Sequence, residues 1–128
     1  MTIHESGENY LEAILMIGER QGNVRSIDVV NQLGFSKPTV SVMVHKLEDS
    51  GYIKITQEGY LKLTDTGMEI ARKIYERHTL LTSILVSLGV PEGIASEDAC
   101  KLEHDLSELS FEKLKQYYYT QMRSAASE

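Results

Sequence analysis

The chain has only one cysteine among its 128 residues, and it contains no run of 18 apolar residues. A single cysteine cannot form an internal disulfide, and a cytoplasmic protein needs none. Without a long apolar run, the chain has no candidate for a membrane-spanning helix. The first residues, Met1–Glu5, also lack the basic and apolar regions of a signal peptide. These absences predict a cytoplasmic protein that has no membrane partner.

The motifs of several enzyme classes are absent as well. The chain has no Gly-rich phosphate loop, no HExxH metal motif and no Ser/His/Asp order. It also has no Pro/Ser-rich linker, low-complexity tract or internal repeat. Its hydrophobic fraction of 41% is enough to bury a core. The composition therefore favours one domain, or two small domains that share a core, and it argues against catalysis.

Basic residues are outnumbered by acidic ones, 13 to 19, which gives a formal net charge of −6. Residues 1–64 hold six Lys/Arg and eight Asp/Glu, and residues 65–128 hold seven and eleven. The stretch Ser36–Leu47 differs from both halves because it has two lysines and no acid. Nucleic-acid binding requires positive potential at the contact surface, not over the whole chain. The acidity predicts weak non-specific affinity for DNA but does not exclude a local DNA site.

Ser36–Leu47 has the pattern of a helix that lies in a groove of DNA. Ser36 can cap its start, and Pro38 falls in the first turn, where its missing N–H costs nothing. Upstream, Ser26–Leu33 has the pattern of a short capped helix, with Gly34 as a left-handed terminator. The apolar stripe of the second helix recurs at i, i+4 and i+7, as Val40, Val44 and Leu47. This order predicts a helix-turn-helix, with an ordinary amphipathic helix pair as the alternative.

An alternating pattern follows the second helix of this pair. Gly51–Ile55 and Tyr60–Thr64 alternate apolar and polar residues, as half-exposed strands do, and Thr56–Gly59 supplies a Gly-containing turn. A β-hairpin in this place is a wing. We therefore predict a mainly α fold with a small β-hairpin wing. A winged helix-turn-helix is the favoured interpretation of residues 6–64.

Two further helices bear on function. Ser6–Ile17 opens with a capping residue and acids, and its residues Asn9 and Glu12 lie off the core stripe, as solvated flanking residues commonly do. A long helix over residues 65–88 has a broad apolar face that one small winged domain cannot cover. It therefore predicts an assembly interface. His78 lies on that face, where a histidine is more often a core residue than a ligand.

The segment Ser96–Leu106 is a candidate metal site. On a helix, Cys100, Glu103 and His104 stand at i, i+3 and i+4 and face one way. A thiolate, a carboxylate and an imidazole within one turn suit a divalent transition metal. The alternative is a polar helix flank with a half-buried cysteine. Further potential donors elsewhere in the chain favour the metal: Asn9, Glu12 and His78.

Six stretches carry a resemblance to a known family: Glu8–Glu12, Ser36–Ser41, Gly51–Ile53, Leu63–Gly67, Arg77–Leu81 and Asp98–His104. In this order and spacing they resemble the diphtheria toxin repressor family of metal-activated transcriptional repressors, which includes the manganese transport regulators. The resemblance implies a winged helix-turn-helix DNA-binding domain at residues 1–64 and a helical metal-binding and dimerisation domain at residues 65–128, with a metal bound between the first helix and the second domain. Some members have a further SH3-like domain, and this chain resembles the short, two-domain branch.

Residue by residue, the resemblance implies a set of metal ligands: Asn9, Glu12, His78, Cys100, Glu103 and His104. Cys100 is typical of the iron branch and Glu12 of the manganese branch. Asn9 stands where the iron branch has Met and the manganese branch has Asp. Thr82 and Ser96 replace acidic and histidine partners of a second site in the iron branch. The implied cofactor is Fe(II) or Mn(II), and a thiolate favours iron.

The resemblance also implies that the polar face of Ser36–Leu47 meets DNA. Ser36, Pro38, Thr39 and Ser41 match residues that contact DNA in the iron-type repressors. The full set of candidate DNA contacts is Ser26, Ser36, Lys37, Pro38, Thr39, Ser41, Val42, His45 and Lys46. At position 42 the iron-type repressors have Gln, so the bases that are read should differ.

Together these features predict a cytoplasmic, homodimeric, metal-activated repressor that binds pseudo-palindromic double-stranded operator DNA and controls iron or manganese homeostasis. The twofold interface is expected from the helix over residues 65–88 and an amphipathic segment over residues 110–122. One alternative is a winged-helix regulator that responds to a small molecule or a protein and uses no metal. Another is a small metalloenzyme, because Cys, Glu and His can hold a catalytic metal with an open position.

Overall fold

The structure, a computed structural model, describes residues 5–127. Within that range the helices and strands are α1 (Glu5–Gln21), α2 (Ser26–Leu33), α3 (Lys37–Asp49), β1 (Ile53–Ile55), β2 (Leu61–Leu63), α4 (Asp65–Ser87), α5 (Glu92–Leu102) and α6 (Glu108–Ser127). The predicted mainly α fold with one hairpin is confirmed. The chain forms two compact units, Met1–Ile74 and Tyr75–Glu128. None of the described helices is both long and apolar enough to span a bilayer.

The first unit buries the apolar sides of α1, α2 and α3. Leu11 and Ile17 of α1, Val29 of α2 and Val40 of α3 are each 0% exposed. Leu11 and Ile17 therefore lie on the core side of α1, and Glu12, expected as a solvated flanking residue, is itself buried at 7% exposure. Ser6, expected to cap this helix, instead lies within it, because α1 already includes Glu5.

The turn between α2 and α3 is built from local signals in the sequence. Gly34 has φ 76°, the left-handed conformation that Gly adopts at low cost, and it ends α2. Ser36 caps α3 by accepting a hydrogen bond from the Thr39 N–H at 3.3 Å. The cap of α2 differs from the expected one, because Arg25 precedes the helix and its N–H donates to the Asp28 carboxylate at 2.8 Å.

The hairpin pairs β1 and β2 antiparallel, with Ile53 opposite Leu63 and Lys54 opposite Lys62. Its inner residues Ile53 and Leu61 are buried, so the hairpin packs one face on the first unit. The strands are shorter than the segments predicted for them. Arg25 adds an isolated antiparallel bridge to Tyr60, which extends the pairing beyond β2.

The start of α4 packs closely against the backbone of Tyr52, which precedes the hairpin. A Cβ atom placed on Gly67 would lie 2.0 Å from the Tyr52 carbonyl oxygen, which no side chain can accommodate without backbone movement. The Thr64 hydroxyl fixes this approach by donating to the Gly51 carbonyl at 2.7 Å. The residue at position 67 must therefore be glycine for steric reasons.

The second unit contains the end of α4 with α5 and α6. Helix α5 ends at Leu102 and not at Leu106 as expected, so Glu103 and His104 lie in the turn that follows it. Glu103 keeps helical backbone angles, with φ −62° and ψ −27°, and its N–H donates to the Ala99 carbonyl at 2.9 Å. The predicted helix at residues 110–122 is part of the longer α6.

Candidate metal centre and DNA-binding surface

Glu103 is the centre of a cluster of potential metal ligands in the second unit. Its side chain is 0% exposed, and its Oε2 atom accepts a hydrogen bond from His78 Nδ1 at 2.9 Å. The other oxygen, Oε1, lies 3.4 Å from His104 Nε2. That contact is within ion-pairing distance but is not a hydrogen bond, and Oε1 has no hydrogen-bond partner among residues 5–127. The buried carboxylate thus lies between two imidazoles, and only its Oε2 atom accepts a hydrogen bond.

Cys100 joins this cluster from the last turn of α5. Its Sγ atom lies 3.7 Å from His78 Nδ1, and the residue is exposed. One donor atom each from His78, Cys100 and Glu103 fall within 4.8 Å of one another. On the opposite edge of the ring, His78 Nε2 lies 3.3 Å from the Ser96 hydroxyl, which fixes the orientation of the imidazole. Ser96, expected only as a replaced ligand, therefore positions His78.

The spacing argument grouped Cys100, Glu103 and His104, and the structure places His78, one of the further donors named from the sequence, beside the same carboxylate. His78 is half-buried at the carboxylate and is not simply a core residue. His104 reaches the carboxylate from the turn, and its side chain is only 2% exposed. Asn9 and Glu12 lie on α1 in the first unit, where Glu12 is 7% exposed. Their part in a metal site stays a prediction.

The candidate DNA-contact residues of α3 are on its solvent side. The apolar stripe of the helix, Val40, Val44 and Leu47, is buried. The candidate DNA contacts at this helix are all exposed: Ser36, Lys37, Pro38, Thr39, Ser41, Val42, His45 and Lys46. Val42 is 57% exposed, unusually open for an apolar side chain. The His45 Nδ1–H donates to the Ser41 carbonyl at 2.7 Å, so this ring is held against its own helix. Ser26, at the start of α2, is half-buried.

A second basic surface was missed in the sequence. Lys54 and Lys62 stand directly opposite each other on the exposed side of the hairpin. Arg25 adds a third positive charge at the hairpin: its Nη1–H donates to the Glu58 carbonyl at 3.0 Å, and its guanidinium lies 4.6 Å from the centre of the Tyr60 ring. The matching triplets of the two strands, IKI and LKL, are the signal that could have located this pair.

Comparison with protein families matches almost the whole chain. Residues 2–63 match the model of the iron-dependent repressor N-terminal DNA-binding domain. Residues 64–120 match the model of the iron-dependent repressor metal-binding and dimerisation domain. The two matches follow each other in the order that the sequence predicts.

Individual relatives agree with these models. The chain is 38% identical over 113 residues to an uncharacterized HTH-type transcriptional regulator of Methanocaldococcus jannaschii, covering 87% of this chain and 90% of that protein. It is 32% identical over 118 residues to the transcriptional regulator MntR of Escherichia coli O6:H1, covering 92% and 75%.

Among solved structures, that of the manganese regulator SloR superposes with a TM-score of 0.79 at 28% identity. The match covers 93% of this chain and 55% of that one, so the chain spans about half the length of this structural relative. The combined matches confirm the resemblance found in the sequence. The chain belongs to the iron-dependent repressor family of metal-dependent transcriptional repressors.

Proposed function

We propose that the protein represses transcription as a homodimer whose affinity for operator DNA rises when Fe(II) or Mn(II) binds at Glu103, His78, Cys100 and His104. The observation that carries this proposal is the Glu103 carboxylate, which is fully buried with one oxygen lacking a hydrogen bond. Burying a charged carboxylate costs several kcal/mol unless partners compensate it. A divalent cation is the partner that such an oxygen, two imidazoles and a thiol together would hold.

The donor set fits the proposed cofactor. When bound, the cation supplies positive charge that offsets the repulsion among the carboxylate and thiolate groups of the site. Cys100 favours Fe(II), because thiolates are soft ligands, whereas oxygen donors favour Mn(II). Asn9 and Glu12 are proposed as the further oxygen donors. We propose Fe(II) as the first candidate and Mn(II) as the second, the metal named for SloR.

The proposed DNA interface has two parts. The exposed face of α3 enters the major groove, with Pro38 and Ser41 at base edges and Lys37 at a phosphate. Lys54 and Lys62 of the hairpin contact phosphates beside that groove. A directly opposed pair of like charges destabilises a hairpin, so binding a polyanion is a functional reason for its presence. This local positive potential would allow the protein to bind DNA although its net charge is −6.

The second unit presents the surface proposed for the homodimer. Large apolar side chains remain exposed on α4, α5 and α6 and in the turn that follows α4: Val86, Leu88, Ile94, Leu102, Leu109, Tyr117, Tyr119 and Met122. An apolar surface of this kind marks an interaction site, and a twofold dimer matches a pseudo-palindromic operator. Half-site centres should then lie about one helical turn of DNA apart, or a multiple of it.

The relatives named above are transcriptional regulators, and we propose regulation in the cytoplasm with no catalytic step. The test begins with protein stripped of metal by a chelator. Its binding to DNA from its own promoter region is measured by fluorescence anisotropy as Fe(II), Mn(II), Zn(II) or Mg(II) is added back. Specific binding that appears only with a transition metal supports the proposal. Equal binding with and without metal would favour a regulator that responds to another signal.

A further inference from the structure

The turn that carries two proposed ligands is held by a buried arginine. Arg77 is 5% exposed, and its Nη1 group donates to the carbonyl of Glu103 at 3.0 Å and to that of Leu106 at 2.6 Å. Both carbonyls lie in the turn that follows the end of α5 at Leu102. The Arg77 guanidinium therefore closes the turn from Glu103 to Leu106 onto α4.

Consecutive residues of α4 hold the same ligand at two points. Arg77 binds the backbone carbonyl of Glu103, and His78 binds its carboxylate at 2.9 Å. Neither the backbone nor the side chain of Glu103 can move without breaking a contact to α4. The guanidinium also lies 5.1 Å from the ring centre of Phe111, a buried residue in the first turn of α6. Arg77 thus joins α4, the ligand turn and α6.

The surroundings of Arg77 include features that do not stabilise the folded protein. Arg77 makes no ion pair with any carboxylate within the described residues, and its buried Nε–H has no hydrogen-bond partner there. A buried cation without an anion, and a buried N–H without an acceptor, both oppose folding. A role at the adjacent site accounts for what stability alone does not.

We infer that Arg77 is a positioning residue for the metal site, which holds the Glu103–Leu106 turn so that Glu103 and His104 are placed before the metal arrives. Groups that orient metal ligands in this way typically change metal affinity about 10- to 100-fold when they are mutated. The inference rests on the proposed function, because it requires that Glu103 and His104 bind metal.

The test uses Arg77→Met, which removes the donors, and Arg77→Lys, which keeps a charge and a terminal nitrogen able to bind two carbonyls. Arg72→Met is the matched control, since Arg72 is an exposed arginine on the same helix. Each full-length protein is titrated with Co(II), and the absorption of the bound ion is recorded. Thermal unfolding is measured with and without Co(II).

We expect Co(II) to bind about 10- to 100-fold more weakly to Arg77→Met, with an altered absorption spectrum, and less weakly to Arg77→Lys. The rise in melting temperature that Co(II) produces should shrink in the same order. A purely structural arginine would lower the melting temperature equally with and without Co(II) and leave the spectrum unchanged. That result, or tighter Co(II) binding by Arg77→Met than by wild type, would overturn the inference.

Two comparisons keep the test decisive. If Arg77→Met does not fold, Arg77→Lys still decides, because an unchanged affinity and spectrum in this variant would refute a need for the arginine geometry. If wild-type protein binds no Co(II), the proposed metal site itself fails. If wild type binds and both Arg77 variants bind equally well, only the role of Arg77 fails.

Discussion

Replacing Lys54 by Gln should weaken DNA binding and at the same time stabilise the fold. Lys54 faces Lys62 directly across the hairpin, and both are exposed. Lys62 has a partner, because its Nζ donates to Asn23 Oδ1 at 3.2 Å. Lys54 makes no hydrogen bond or ion pair within residues 5–127, so its removal breaks no native contact.

The two effects have separate magnitudes. A cross-strand pair of this kind contributes about 0.2–1 kcal/mol, here with an unfavourable sign, so its loss should raise the free energy of unfolding by that amount. In the opposite direction, each lost phosphate contact lowers the slope of log affinity against log salt by about 0.9. A homodimer loses two such contacts, and its slope should fall by about 1.8.

Urea unfolding measures the first effect, and fluorescence anisotropy with operator DNA between low and moderate salt measures the second. Lys113→Gln is the control, because it removes the same charge from the exposed side of α6. A Lys54→Gln protein with an unchanged salt slope does not contact phosphate through this residue. A loss of stability would show that the opposed lysines are not repulsive, and the functional argument from their pairing would fall.

Three other variants test separate parts of the structure. Gly67→Ala should lower the free energy of unfolding by about 1–3 kcal/mol, because its Cβ would meet the Tyr52 carbonyl. Gly93→Ala is the comparison, because its Cβ meets nothing within 4 Å, and it should raise the free energy of unfolding by about 0.5–1 kcal/mol. If urea unfolding shows the same change for both glycine variants, the steric argument is contradicted. Lys37→Ala should weaken binding to all DNA sequences alike, and an unaltered salt dependence would remove Lys37 from the phosphate contacts. Tyr117→Asp should shift the light-scattering mass toward a monomer, and an intact dimer would place the interface elsewhere.

The helix-turn-helix was predictable from the sequence because its signals are local. The Ser36 cap, the left-handed Gly34 and the stripe of α3 depend on residues only a few positions apart. Each of these signals acts through backbone geometry that the neighbouring residues determine. The structure confirms the Ser36 cap and the Gly34 terminator, but α2 is capped at Arg25 and α3 runs two residues past the predicted Leu47 to Asp49.

The predicted end of α5 was wrong because the segment after Leu102 makes contacts with a residue far away in the sequence, Arg77. Periodicity continued the helix to Leu106, but Arg77 binds the carbonyls of Glu103 and Leu106 in a turn that begins after Leu102. A charged residue on a helix is usually solvated, so its sequence gave no sign that Arg77 is buried. The opposed lysines of the hairpin were missed for a related reason, because only the strand register places Lys54 against Lys62.

Spacing and resemblance both named candidate metal ligands in the sequence, including His78, but only the structure shows which of these residues lie together. Spacing along one helix grouped Cys100, Glu103 and His104, and the structure shows that His78 meets the same carboxylate. That contact joins residues that are 25 positions apart, which helical periodicity cannot reveal. The contribution of Asn9 and Glu12 stays a prediction.

The most direct test of the account is the effect of metal on DNA affinity in Glu103→Gln and His104→Ala. Glu97→Gln is the control, because Glu97 is an exposed carboxylate on α5. In wild type and Glu97→Gln, metal should tighten operator binding by about 5- to 150-fold, the usual range of coupling between two sites. In Glu103→Gln and His104→Ala that gain should be lost while the metal-free affinity is unchanged. If both variants respond to metal as wild type does, the metal that activates this repressor binds elsewhere.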